Sequence, residues 1–147
     1  MVLKNIKIIW FIIVILMALS CNDNQVPQVA DEECDTYDYS DCNTIEPIQS
    51  SLKIDLTIND ENPSPVLKIY EGFIEENNII FADTMTSAHF ELYLNLGKHY
   101  TAAIDYKNDG KIITAVDGTD FLAKSSQVCD SICWYVTGDE LNLKLKL

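Results

Sequence analysis

Two hydrophobic patterns divide the chain. Residues 8–19 form an unbroken apolar run that includes Trp10 and Phe11. From residue 51 onward, apolar side chains recur at every second position, the period of a half-buried β-strand. Leu52, Ile54, Leu56 and Ile58 alternate with Lys53, Asp55 and Thr57 in a first strand, which the turn formers of residues 59–65 (NDENPSP) close. Residues 66–70 and 79–84 read as the second and third strands. Phe90, Leu92 and Leu94 mark a fourth, and Tyr100, Ala102, Ile104 and Tyr106 one face of a fifth. Residues 111–116 predict a sixth. Shorter stretches at 121–124 and 134–136 follow, and Leu141, Leu143, Leu145 and Leu147 alternate in the last. No segment after residue 51 carries a helical stripe. Seven or eight short strands with regular turn signals predict an all-β fold, an antiparallel β-sandwich over residues 51–147.

One register follows from the turn chemistry. Asp109-Gly110 suits a two-residue hairpin turn in which both positions take positive φ. That turn sets Asn108 opposite Lys111, Tyr106 opposite Ile113 and Ile104 opposite Ala115, which keeps one face apolar. If strands four and five form a hairpin as well, Leu94 lies near His99 and His89 near Ile104.

Upstream of the strands the sequence describes an address and a spacer. Lys4 and Lys7 precede the apolar run, which is too short to span a bilayer comfortably (about 20 residues) and fits a secretory signal over residues 1–20. Small residues Ala18 and Ser20 lead directly to Cys21. This stretch resembles the lipobox of bacterial lipoproteins, in a looser form similar to that of Bacteroidetes. The resemblance implies that Cys21 is acylated and anchors the mature chain in the bacterial cell envelope, at the outer membrane. Residues 21–50 lack periodicity, and Asp31, Glu32, Glu33, Asp35, Asp38 and Asp41 place six carboxylates within eleven residues. Such a stretch buries too little to offset its ordering entropy, so it is expected to be a flexible acidic tether. Asp35, Asp38 and Asp41 offer oxygen ligands, but the spacing is not that of a calcium loop.

Composition narrows the function classes. The 147 residues hold 23 acidic side chains, ten lysines and no arginine, a net charge of −13. That balance argues against nucleic acid as a partner, since the few lysines are outnumbered wherever a phosphate backbone would have to be neutralised. The length suits one domain.

Within the β region, Leu94-Asn95-Leu96-Gly97-Lys98-His99-Tyr100 is similar to the tyrosine corner of fibronectin type III and immunoglobulin-like sandwiches. The run Ile69-Tyr70-Glu71-Gly72, with Asp83-Thr84 and then Gly97 before Tyr100-Thr101-Ala102, also resembles transthyretin-like sandwiches. Both resemblances imply architecture, not activity. A corner tyrosine packs its ring inside and bonds its hydroxyl to upstream backbone, here near residues 94–96.

Cys34, Cys42, Cys129 and Cys133 make an even set in an exported chain and predict two disulfides, with three connectivities open. Zinc is the rival reading, disfavoured by an oxidising compartment. Loop-closure entropy favours long-range bonds, at ~4.7 kcal/mol for a loop of about a hundred residues against ~2–2.6 for local ones. Contact probability during export favours local bonds. The expectation adopted is local pairing, Cys34 with Cys42 and Cys129 with Cys133.

Catalytic motifs are missing. There is no Gly-x-Ser-x-Gly elbow, no His-Glu-x-x-His and no phosphate-cradling loop. His89 and His99 are the only neutral bases, and the expected register sets them far apart. Tyr93, Tyr106, Trp134 and Tyr135 could stack on a sugar, although alternation sends such residues inward. No cofactor and no metal are expected. The reading is a lipid-anchored, non-enzymatic module that meets an envelope protein, peptide or glycan through loops 59–65, 117–120 and 128–134. The alternative is a small envelope hydrolase with a carboxylate-based site.

Overall fold

A computed structural model describes residues 34 and 36–146. Eight strands run in order: β1 (Gln49–Asp55), β2 (Val66–Glu71), β3 (Ile79–Thr84), β4 (His89–Asn95), β5 (Lys98–Asn108), β6 (Lys111–Val128), β7 (Ser131–Thr137) and β8 (Glu140–Asn142). They form two sheets, β4-β1-β8 and β3-β2-β5-β6-β7. All pairs are antiparallel except β1 with β8. The all-β sandwich expected from the period-two pattern is the fold of the chain.

The alternation of β1 decides which way its side chains go. Leu52 and Ile54 are 0% and 1% exposed, while Lys53 between them faces solvent. From the facing sheet come Leu67 and Ile69 of β2, then Tyr100, Ala102, Ile104 and Tyr106 of β5, all buried against Leu141 and Leu143. Each large aliphatic side chain among these contributes roughly 1.5–3 kcal/mol on leaving water. Tyr106 does more than fill space. Its hydroxyl donates to the Leu143 carbonyl and accepts the Thr57 amide, each at 2.9 Å, so one ring from the five-stranded sheet clamps the three-stranded one.

The β5–β6 hairpin has the expected register, with Asn108 opposite Lys111, Tyr106 opposite Ile113 and Ile104 opposite Ala115. Asp109 (φ 50°) and Gly110 (φ 72°) occupy its turn, as the Asp-Gly pair requires. β6 then runs on through 117–120 and 121–124, which the sequence reads as loop and doubtful strand. Gly118 allows this passage, because a Cβ there would stand 3.1 Å from His99 Nε2.

Strands β4 and β5 do not form the expected hairpin. They belong to opposite sheets, and the chain crosses between them at Leu96-Gly97. The Leu96 amide still bonds the Ile48 carbonyl beside the first sheet, whereas the Gly97 amide already bonds Phe121 of the second. Tyr100, 1% exposed, spans the crossing by donating its hydroxyl to the Asn95 carbonyl at 2.9 Å. Both strands turn apolar faces to the core, from opposite sides of it.

The disulfides correct the expectation of local pairing. Cys34 bonds Cys129 and Cys42 bonds Cys133, at sequence separations of 95 and 91. The β6–β7 hairpin is an arm whose turn holds Cys129 and whose outer strand holds Cys133. The segment before β1 lies along that arm, and Asn43 pairs with Trp134. The spacer expected to reach residue 50 therefore gives way to attached chain at Cys34. Two covalent bonds supply the ordering that an acidic, aperiodic composition could not. The signal at 1–20, the lipidation residue Cys21 and Leu147 lie outside the described residues.

Candidate functional site

The outward face of β4-β1-β8 carries a charged groove of about 450 Å³, lined by Lys53, Asp55, His89, Glu91, Asp117 and Glu140 among others. Register builds it. Asp55 lies opposite His89 on one side and Asn142 on the other, and Lys53 lies between Glu91 and Glu140. Asp55 is the hub: one carboxylate oxygen meets Lys144 Nζ and the other His89 Nδ1, each at 2.7 Å. The Lys144 bond, then the His89 bond, hold the Asp55 carboxyl below the usual carboxylate range. Lys53 is held above the usual ammonium range, first by its bond to Asp139. At the end of the groove Asp117 accepts the Asn142 amide at 2.8 Å.

The opposite outer face, on the five-stranded sheet, repeats the His–Asp pairing at a second place. His99 Nδ1 meets Asp120 Oδ1 at 2.7 Å, and the Phe73 ring lies against the imidazole with centroids 4.4 Å apart. Nearby, Thr101 donates to the Gly72 carbonyl at 2.8 Å and Lys98 meets Glu71 at 2.7 Å. A second groove of about 460 Å³ runs past Val66, Lys68, Ile74, Asp105 and Thr114 on the same face. The two histidines thus stand on different sheets, apart as expected, but through the split of β4 from β5 and not through hairpin register.

Each imidazole is oriented by a carboxylate through Nδ1, the base-and-orienter half of a hydrolytic triad. The hydroxyls beside His89 are committed elsewhere. Ser51 Oγ donates to Glu91, and Ser87 Oγ accepts the His89 backbone amide. Thr101, beside His99, is buried and gives its proton to Gly72. Among the described residues no group of three or more His, Cys, Asp or Glu is placed to hold a metal ion. The sulfurs of all four paired cysteines are bonded to one another, which removes them as thiolate ligands.

The loops singled out from sequence fare differently. Residues 117–120 are strand, not loop. Loop 59–65 is pinned through Asn62, which is 5% exposed. Its side-chain oxygen accepts the Lys107 amide at 2.6 Å and its side-chain nitrogen donates to the Lys107 carbonyl at 3.0 Å. Backbone alternation sends Lys107 toward β2 at a point where β2 has not begun, and the Asn62 amide stands in for the missing residue. The turn at 128–131 is the cross-linked tip of the arm. The aromatic set is dispersed: Tyr106 is core, Tyr93 lies open on β4, and Trp134 and Tyr135 belong to the arm.

The arm and its attached segment carry apolar side chains in solvent, notably Ile45, Ile48, Ile132 and Tyr135, with Tyr37 and Tyr39 in edge contact at 4.9 Å. No sequence signal marks this end, because it exists only once the long-range disulfides are drawn. Comparison with protein families, curated proteins and solved structures finds no match to the chain. Two disulfides place the domain in an oxidising, extracytoplasmic compartment. Among the described residues no helix is long and apolar enough to cross a membrane.

Proposed function

We propose that the chain is a lipid-anchored module of the bacterial cell envelope, held at the outer membrane through Cys21, that binds a partner and performs no catalysis. The observation that carries this reading is the stapled arm. Two disulfides fix Cys34 and residues 36–43 along β6–β7 and so hold exposed Ile132 and Tyr135 on a stiffened projection. Apolar side chains presented to solvent on a rigid frame are the material of a recognition surface. The partner class is an envelope protein, peptide or glycan.

The His–Asp pairs support a second reading, a small hydrolase acting on glycans or esters, because each leaves Nε2 without a bond to its orienting carboxylate. One set of measurements separates the two. The full chain and its Cys21→Ser variant are followed for fatty-acid incorporation and membrane retention, and the protein is assayed on polysaccharide, peptide and ester panels. Acylation lost in Cys21→Ser, with no turnover, is the expected result. Turnover that disappears in His89→Ala or His99→Ala would replace binding with hydrolysis, and acylation that survives Cys21→Ser would move the anchor elsewhere.

A further inference from the structure

Strand β4 ends its sheet, and its backbone alternation can be read from the bonds at its two ends. Leu56 N bonds the Ala88 carbonyl and Leu96 N bonds the Ile48 carbonyl, in the same register that pairs Leu52 with Leu92. In an antiparallel ladder all bonds then fall on residues of that parity. Phe90, Leu92 and Leu94 therefore spend their amides and carbonyls on β1. His89, Glu91, Tyr93 and Asn95 direct theirs away from the sheet.

The outward row is closed at its ends and open in the middle. The His89 amide is taken by Ser87 Oγ, and the Asn95 carbonyl is taken by the Tyr100 hydroxyl. The amides and carbonyls of Glu91 and Tyr93 remain, with the Asn95 amide and the His89 carbonyl. The strand has no Pro, Lys, Gly or bulge, which are the usual protections of an edge. By contrast, Asp83 guards one edge of the five-stranded sheet, β3, by accepting the Thr84 amide. On the inner side of β4, Phe90, Leu92 and Leu94 are only half-buried, whereas Leu52 and Ile54 beside them are fully buried. The sandwich is open along β4.

We propose that β4 pairs antiparallel with β4 of a second copy of this chain about a two-fold axis at Leu92. In that register Glu91 faces the partner's Tyr93 and each exchanges both bonds, while Asn95 N donates to the partner's His89 carbonyl. The His89 amide and the Asn95 carbonyl, already satisfied within each copy, fall opposite each other and lose nothing. The inner row becomes wholly apolar, Phe90 against the partner's Leu94 and Leu92 against its own mate. No like charges face each other, whereas the register centred on Glu91 sets two carboxylates opposite each other. An isologous patch of this kind closes as a dimer, because each copy spends its β4 edge on the other. The shared edge is one short strand per copy, so association is of the weak, concentration-dependent class.

The test uses the full chain exported to an oxidising envelope, with Leu92→Cys. Directly opposed residues of a non-hydrogen-bonded pair lie about 4.5 Å apart at Cα, within disulfide reach. The expected result is a cross-linked dimer on non-reducing gels, at least about tenfold less with Glu91→Cys, and loss of the Leu92→Cys cross-link when Tyr93→Pro is added. The Tyr93 backbone amide donates nothing to β1 and only its hydroxyl reaches the Gln49 carbonyl, at 3.5 Å, so proline there spares the ladder, while the cross-link falls at least about tenfold. Tyr93→Ala keeps the amide and keeps the cross-link. Unsubstituted protein from residue 22 onward, which holds every described core residue and both disulfides, shows a monomer–dimer equilibrium by sedimentation. A monomer at every concentration, a Glu91→Cys cross-link equal to that of Leu92→Cys, or a cross-link indifferent to Tyr93→Pro overturns the proposal. So does a monomer whose Glu91 and Tyr93 amides are protected only by a foreign extended peptide.

Discussion

Removing one disulfide should cost less than half of what removing both costs. Each bond alone closes a loop of more than ninety residues, with separations of 95 and 91. The chain-entropy relation assigns such a loop about 4.7 kcal/mol. The two bonds interleave, however, and their loops share most of the chain. Once Cys34–Cys129 is closed, Cys42–Cys133 closes only the short path from 34 to 42 and from 129 to 133, about a dozen residues, worth ~3 kcal/mol. The same holds with the order reversed. Cys34→Ser with Cys129→Ser, or Cys42→Ser with Cys133→Ser, should therefore each lower the unfolding free energy by about 3 kcal/mol, and the fourfold variant by roughly 7–8. The assay is urea unfolding of oxidised protein, followed by Trp134 fluorescence, with the slope compared between variants to detect a more expanded unfolded chain. Additive losses of about 4.7 kcal/mol each would refute the shared-loop account. So would a fourfold variant no worse than a single pair.

Three further outcomes follow from bonds described above. Tyr106→Phe strips a partner from both the Leu143 carbonyl and the Thr57 amide, whereas Tyr100→Phe strips one from Asn95 alone; at about 1–3 kcal/mol per orphaned group, Tyr106→Phe should shift the denaturation midpoint further, and equal shifts would contradict it. The Asp55 carboxyl is lowered by Lys144 and His89 from 3.8, so its contribution is present above that value and is lost as pH falls through the lowered one; Asp55→Asn should flatten the acid limb of a stability-against-pH profile, and an unchanged limb would remove the hub from the argument. Asn62→Ala leaves the Lys107 amide and carbonyl unmatched at the end of β5, at about 1–3 kcal/mol, and hydrogen exchange at the Lys107 amide should quicken while that at Ile104 stays slow.

The parts of this fold that are legible in the sequence are those decided by neighbours along the chain. Period-two alternation sends Leu52 and Ile54 inward, Asp109-Gly110 sets a register eleven pairs long, and Gly97 before Tyr100 marks the corner. The parts that are not legible depend on which strands meet. Alternation in β4 and β5 is the same whether they share a sheet or face each other across the core, and only packing separates the cases. The disulfide pairing failed for the same reason. Local contact probability is a property of the unfolded chain, while Cys129 reaches Cys34 because β6 and β7 carry it there. The Asp55 hub unites β1, β4 and residue 144, and Asn62 acts only where β2 falls short of β5. Each residue is visible in the sequence, and neither partnership is.

The one parallel pair has a kinetic meaning. β1 is central to its sheet, yet it meets β8 only after all the other strands have been made, and Lys53 waits for Glu140. A sheet joined by such distant segments forms slowly, because the loop must close before the contact rewards it. A chain emerging from a membrane channel cannot finish this sheet during transit; Ile54 stays uncovered until Leu141 arrives. Passage through the membrane and acquisition of structure are thus separated in time by the connectivity itself, and in that interval the uncovered β1 is a strand that a chaperone can hold.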